Sequence, residues 1–303
     1  MIKEIIMAKH HGFCMGVKRA INIAEETAEK SDERVTILNE IVHNESVVEK
    51  FREQGVQQAF SVEDVEGGTL IISAHGIAPD VIKKAEAQGL KVIDATCPLV
   101  TRIYDIIVKA VEQGFHIIHY GEADHDETYG VVGYAPDKIT VVSDHESLLA
   151  LPDWKERKLG LTVQTTAHEK EFEEAEKLAI EKWPQIKIFN TICNATTKRQ
   201  QAILELAPNV DMVLVVGSET SANSNRLAQI SDGICGRGIL ISSVDDIKDE
   251  WFEDKYEKIG ISAGASTPDY LVEAVIEKLV ALSGGTANVV LPEKRTKIAR
   301  VAR

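Results

Sequence analysis

Short apolar runs rich in β-branched residues recur along the chain, each followed by a longer stretch with helical spacing. The runs fall at 35–38, 69–74, 91–95, 116–120, 139–143, 158–163, 186–189, 211–217, 237–242 and 258–263. Most are apolar at successive positions rather than alternating, which marks strands covered on both faces. The intervening stretches GVKRAINIAEETAEK, SVVEKFREQG, VTRIYDIIVKAVEQG and HEKEFEEAEKLAIEKW predict amphipathic helices. Two of them stop at Gly55 and Gly114, as helices capped by glycine do. Strand–helix alternation predicts an α/β protein built of parallel sheets. No low-complexity linker divides the chain, so the divisions are drawn at cysteines: 15–97, 98–193, and 194–283 with the N-terminal strand 1–14. Residues 284–303 are left as a basic C-terminal tail.

Composition narrows the class. The chain has 303 residues, 44% hydrophobic and 27% charged, enough for two or three compact units. No apolar stretch reaches the roughly 18 residues that a membrane helix needs. Glu4 and the pair His10–His11 stand where a signal peptide would be apolar, so a cytoplasmic protein is expected, with no membrane partner. The net charge of −14 argues against a nucleic-acid binder. Residues 292–303 depart from this, with five basic groups and one acid, as a solvated end or a docking segment.

Three of the four cysteines sit just beyond an apolar run. Cys14 follows EIIMAKHHGF, Cys97 follows LKVIDAT and Cys193 follows IKIFNTI, with about one small α/β unit between each pair. Reactive groups and ligands collect at the carboxyl ends of parallel strands. In a reducing compartment these thiols are not expected to form disulfides. No CxxC pair supports a structural zinc site. Three thiolates on an iron–sulfur cluster would leave one iron open to a substrate oxygen. Spacing alone leaves that site level with three unrelated core cysteines. The neighbours favour the site: glycines flank Cys14, Pro98 can open a helix after Cys97, and a helical pattern begins past Cys193.

His43, His75 and His125 also lie beyond strand runs, and Ser221, Asn223 and Ser266 lie at strand-to-helix junctions. Taken singly, each histidine is more often a surface or core residue and each serine a helix cap. Together they suit phosphate oxygens. No Walker or GxGxxG pattern occurs, so a phosphate ester that is not a nucleotide fits better.

The runs GFCMGVKRAI, EIVHN, ISAHG, DATCPLV, VQTT, CNATTKRQ, LVVGSETSANSNRLA and AGASTPD resemble the 4-hydroxy-3-methylbut-2-enyl diphosphate reductase family along nearly the whole chain. That resemblance implies a trefoil of three small α/β units around a central [4Fe–4S] cluster held by Cys14, Cys97 and Cys193. It implies that His43, His75, His125, Ser221, Asn223 and Ser266 bind the substrate diphosphate, with Glu127 as proton donor beside Thr165 and Thr166. The implied reaction is reductive dehydroxylation of the allylic diphosphate to isopentenyl and dimethylallyl diphosphate. Ferredoxin or flavodoxin is the implied electron donor, and a monomer is expected.

Two departures from the family pattern stand out. His125-Asp126-Glu127 replaces the usual His-Pro-Glu, and Ala222 stands where a second serine is common. Cys235 matches no cluster position and reads as a core residue. A cluster dehydratase like quinolinate synthase and a non-catalytic iron–sulfur sensor are the competing readings. Turnover that requires a reductant would exclude the first, and any turnover of an allylic diphosphate the second.

Overall fold

The computed structural model describes residues 2–252 and 256–292. The strands are β1 (Glu4–Met7), β2 (Val35–Leu38), β3 (Gln57–Ala59), β4 (Thr69–Ile72), β5 (Lys91–Asp94), β6 (Phe115–Tyr120), β7 (Ile139–Val142), β8 (Lys158–Val163), β9 (Lys187–Phe189), β10 (Met212–Val216), β11 (Gly238–Ile241), β12 (Lys258–Ala263) and β13 (Asn288–Val290). The helices are α1 (Met15–Lys30), α2 (Glu45–Glu53), α3 (Pro79–Ala87), α4 (Pro98–Glu112), α5 (Asp126–Tyr134), α6 (His145–Ala150), α7 (Glu169–Lys182), α8 (Asn194–Leu206), α9 (Ala222–Cys235) and α10 (Asp269–Leu282). The strands form three sheets with parallel pairing throughout, the α/β class expected.

The chain falls into two compact units. A terminal unit comprises Met1–Cys14, His43–Glu45 and Asn194–Arg303; a middle unit comprises Met15–Val42 and Ser46–Cys193. The terminal unit holds one sheet, in the order β11-β10-β12-β1-β13. Met212, Leu214 and Val216 of β10 face Val272, Val275 and Leu279 of α10. Val213 and Val215 face Ile203 of α8 and Leu227 of α9. Burial on both faces is why this strand is apolar at every position.

Two four-stranded sheets make up the middle unit, β3-β2-β4-β5 and β7-β6-β8-β9. In the second, Ile118, Leu159 and Leu161 pack with Phe172 of α7, while Ile117 packs with Ile103 and Ile107 of α4. Gly55 and Gly114 take φ of +83° and +84° just past α2 and α4, the left-handed conformation that stops a helix.

Two strands lie where no apolar run predicts one. β3 is a polar edge strand, Gln57-Gln58-Ala59. β13 falls in the stretch read as tail: Asn288–Val290 pairs with Glu4–Ile6 at the sheet edge. Both are three residues long and largely exposed, so burial imprints little pattern on them. The remainder of the expected basic tail, 293–303, lies outside the described residues. Among the described residues, no helix is long and apolar enough to cross a membrane.

Candidate functional site

The three strand-end cysteines share one local setting. Cys14 directly precedes α1, Cys97 is the N-cap residue of α4 with Pro98 as its first helical residue, and Cys193 directly precedes α8. None of the cysteines is in a disulfide, and all are partly buried. Sulfur is the soft donor that iron–sulfur clusters take, so each of these three residues is of the type such a group requires. Cys235 differs: its Sγ–H donates to Ser231 O within α9, and it packs beside Ala228 and Ile230.

In the middle unit, short hydrogen bonds link the candidate groups. The Cys97 N–H donates to Ala74 O, which fixes the loop carrying His75 (3.0 Å). The His75 and His125 rings meet edge to face, 5.8 Å between centroids. His125 caps α5, its Nδ1 accepting the Glu127 N–H at 3.1 Å. That bond leaves the ring hydrogen of neutral His125 on Nε2.

Glu127 is only 2% exposed. Its Oε1 accepts the Thr165 N–H at 2.8 Å, and its Oε2 lies 2.5 Å from Thr165 Oγ1. Burial pushes its carboxyl up to about 7, against the opposing pull of the two Thr165 bonds. Thr165 O in turn accepts the Cys193 N–H at 3.0 Å. Glu127, Thr165 and Cys193 are therefore held in one chain of bonds. Thr166 is fixed separately: Gln164 Nε2 donates to its Oγ1 at 2.9 Å, and Gln164 Oε1 accepts the Glu122 N–H.

The terminal unit gathers the other candidates. Ser266 Oγ donates to His43 O at 2.8 Å, and Thr267 Oγ1 beside it donates to Val216 O at the end of β10. Ser218 Oγ donates to Glu45 Oε1, tying the loop after β10 to the segment holding His43 (2.7 Å). Ser221 caps α9, its Oγ accepting the Ser224 N–H. Asn223 is 4% exposed, and its Nδ2 has no hydrogen-bond partner among the described residues. A buried amide donor of this kind suits an anion. On the Cys14 side, Arg199 is buried and donates to Gly12 O and to Ala195 O, bracing the Cys14 loop against α8. Gly12 takes φ of +67°, so glycine serves the turn at that position.

Several of these positions carry no motif of their own. Gln164 and Arg199 lie inside matched runs but act through tertiary bonds. His119, fully buried, is held down to about 3 by burial and by neighbouring His125, and so stays neutral; it shares a 3.0 Å bond with Thr162. Its only sequence signal is that it is one of two histidines, with His116, in the largely apolar strand β6.

Comparison with known proteins adds a second line. The family described as LytB protein matches residues 5–280. The 4-hydroxy-3-methylbut-2-enyl diphosphate reductase of Geobacter metallireducens is 38% identical over 276 residues, 91% of this chain and 96% of that protein. The solved reductase of Plasmodium falciparum superposes with a TM-score of 0.92 at 28% identity, over 99% of this chain and 95% of that one. A solved (E)-4-hydroxy-3-methyl-but-2-enyl diphosphate reductase, titled the terminal enzyme of the non-mevalonate pathway, gives 0.65 at 35% identity. It is covered completely, by 93% of this chain.

Proposed function

We propose, from the premise that this chain belongs to the LytB protein family, that it performs the reaction for which its relatives are named. It removes the hydroxyl of (E)-4-hydroxy-3-methylbut-2-enyl diphosphate reductively, giving isopentenyl and dimethylallyl diphosphate. The observation that carries this reading is the buried Glu127–Thr165 pair, bonded through the Thr165 carbonyl to the backbone N–H of Cys193. Members of the family work with an iron–sulfur cluster, here a [4Fe–4S] cluster on Cys14, Cys97 and Cys193. When bound, it would pass on two electrons, one at a time, from an external donor and would supply a Lewis-acidic iron.

The chain's own residues provide binding and protons. An allylic hydroxyl leaves poorly unless protonated, and Glu127, with its carboxyl near 7, is poised to give that proton. When Glu127 is ionised the Thr165 hydroxyl donates to Oε2; because the Thr165 N–H occupies Oε1, an added proton goes to Oε2, facing Thr165 Oγ1. Thr165 can accept it and pass on its own hydroxyl hydrogen, a two-member relay out of a buried site. Thr166, clamped by Gln164, borders the same loop.

His43, His75, His125, Ser221, Asn223 and Ser266 hold the diphosphate. Asn223 has a donor to offer, and the Ser221 hydroxyl hydrogen remains available because its oxygen serves as the helix cap. Remote binding of the diphosphate fixes the carbon skeleton for reaction. The reducing equivalents come from ferredoxin or flavodoxin, and the reaction runs in the cytoplasm on a monomer.

The test is anaerobic reduction of the allylic diphosphate by dithionite and a viologen, with product analysis. Expected are a brown protein, both C5 diphosphates, and a cluster EPR signal that substrate perturbs. Colourless protein containing one zinc, or no product from iron-loaded enzyme, would overturn the reading.

A further inference from the structure

Tyr104 lies on α4, two turns beyond Cys97, and is 4% exposed. Its hydroxyl lies between two glycines. A Cβ at Gly76, the residue after His75, would strike the Tyr104 hydroxyl, and so would a Cβ at Gly130. Gly130 lies on α5 three residues past Glu127, on the same helical face. The Tyr104 hydroxyl donates to His75 O at 3.4 Å, and its ring stacks on Tyr134 at the end of α5, 4.2 Å between centroids. Burial beside Glu127 and Asp94 raises its phenol, so the hydroxyl stays protonated and remains a donor. One side chain thus touches the helix led by Cys97, the loop of His75 and the helix of Glu127.

We propose that Tyr104 is a positioning residue, its hydroxyl a spacer that sets the His75 loop and the Glu127 helix at their working separation. The proposal rests on the reading of His75 as a diphosphate ligand and of Glu127 as the acid. It predicts behaviour that core packing alone does not. Gly130 has ordinary helical backbone, where alanine normally favours the helix over glycine. Gly130→Ala should nonetheless be harmful here, because its methyl meets the Tyr104 hydroxyl. Tyr104→Phe vacates the space that methyl needs.

The experiment uses cluster-loaded enzyme under anaerobic conditions, with kcat, KM, pyrophosphate affinity by calorimetry, iron content and Tm measured for each variant. Tyr104→Phe is expected to lower kcat roughly 10-fold and to weaken pyrophosphate roughly 3-fold, since ångström-scale misplacement has effects of this order. Gly130→Ala should lose more, and the double variant should recover to the level of Tyr104→Phe alone. Wild-type kcat and pyrophosphate affinity in Tyr104→Phe would overturn the proposal, as would additive losses in the double variant. Losses confined to Tm and iron content, with kcat per cluster unchanged, would assign Tyr104 to the core and also overturn it. Failure of the wild-type enzyme to reduce the allylic diphosphate would instead sink the underlying reading.

Discussion

Glu127 in the middle unit and Asn223 in the terminal unit differ in how completely their side chains are bonded. In the middle unit the proposed acid is finished: both Glu127 oxygens have partners, its backbone N–H is capped by His125, and Thr165 is braced by Cys193. In the terminal unit the proposed anion ligands are only partly committed. Ser221 and Ser266 make protein bonds, while the Asn223 amide is buried and its Nδ2 has no hydrogen-bond partner among the described residues. An unsatisfied buried donor costs about 1–3 kcal/mol until something accepts from it. That cost is returned when the ligand arrives. A proton donor needs its protonation set before the substrate enters; an anion cradle gains affinity from donors left waiting.

The sharpest way to break this contrast is at Glu127. Glutamine keeps the shape and can still accept the Thr165 N–H, but it has no proton to give. Glu127→Gln is expected to lower kcat by about 10²–10⁴-fold, the usual range for a lost general acid, with KM nearly unchanged. Single-turnover product formation checks it; a kcat within a few-fold of wild type would show that the finished acid is a structural pair. Asn223→Ala should act in the other direction. Losing a hydrogen bond to a charged group is worth about 1.5–3 kcal/mol, so KM and pyrophosphate Kd should rise roughly 10- to 100-fold. Its kcat should fall far less. If kcat fell more than KM rose, the separation of roles between Glu127 and Asn223 would fail.

The same contrast has a signature in pH. Burial raises the Glu127 carboxyl from its ordinary value of 4.5 to about 7, so the folded state binds this proton more tightly than the unfolded state. Its contribution to stability is complete below about 4.5 and is lost as pH rises through about 7. Glu127→Gln has no such loss. The Tm gap between variant and wild type should therefore widen in favour of glutamine from pH 5.5 to pH 8, by a few degrees. For the wild type, kcat/KM should decline above about pH 7 as the acid deprotonates. A constant Tm gap would mean that Glu127 is ionised at both pH values.

Much of the layout was legible because burial writes itself into composition. β10 is apolar throughout since both faces are covered, whereas Gln57–Ala59 and Asn288–Val290 are short edge strands with no such imprint. At the site, Glu127 could be singled out in its motif, but its environment could not. The Thr165 clamp comes from another strand end, 38 residues away. Tyr104 was invisible for a related reason. On the helix it reads as one more core aromatic, and its importance lies in two glycines on other segments. Motifs carry residue types across a family; the spacing between segments appears only once the chain has folded.

Asp126 is where the sequence departs from the His-Pro-Glu pattern next to the acid, and there the smallest effect is expected. It opens α5 as the first helical residue, and its Oδ1 lies 3.4 Å from the side-chain amide of Asn39, a residue held at φ of +60°. Proline is favoured at a first helical position because its fixed φ suits the helix. Proline also requires extended backbone in the residue before it. His125 already has φ −82° and ψ 139°, so the chain is shaped for proline without containing it. The constraint on the loop thus comes from the His125 cap, with the weak Asn39 contact as a supplement. Asp126→Pro should therefore leave kcat and KM within about twofold, and any gain in Tm should be a degree or two, from a less flexible unfolded chain. A loss of tenfold or more in kcat, with Tm unchanged, would show that the Asp126 carboxylate shares in proton delivery. The acid of the middle unit would then be a pair of carboxylates, and less complete by itself than its bonds imply.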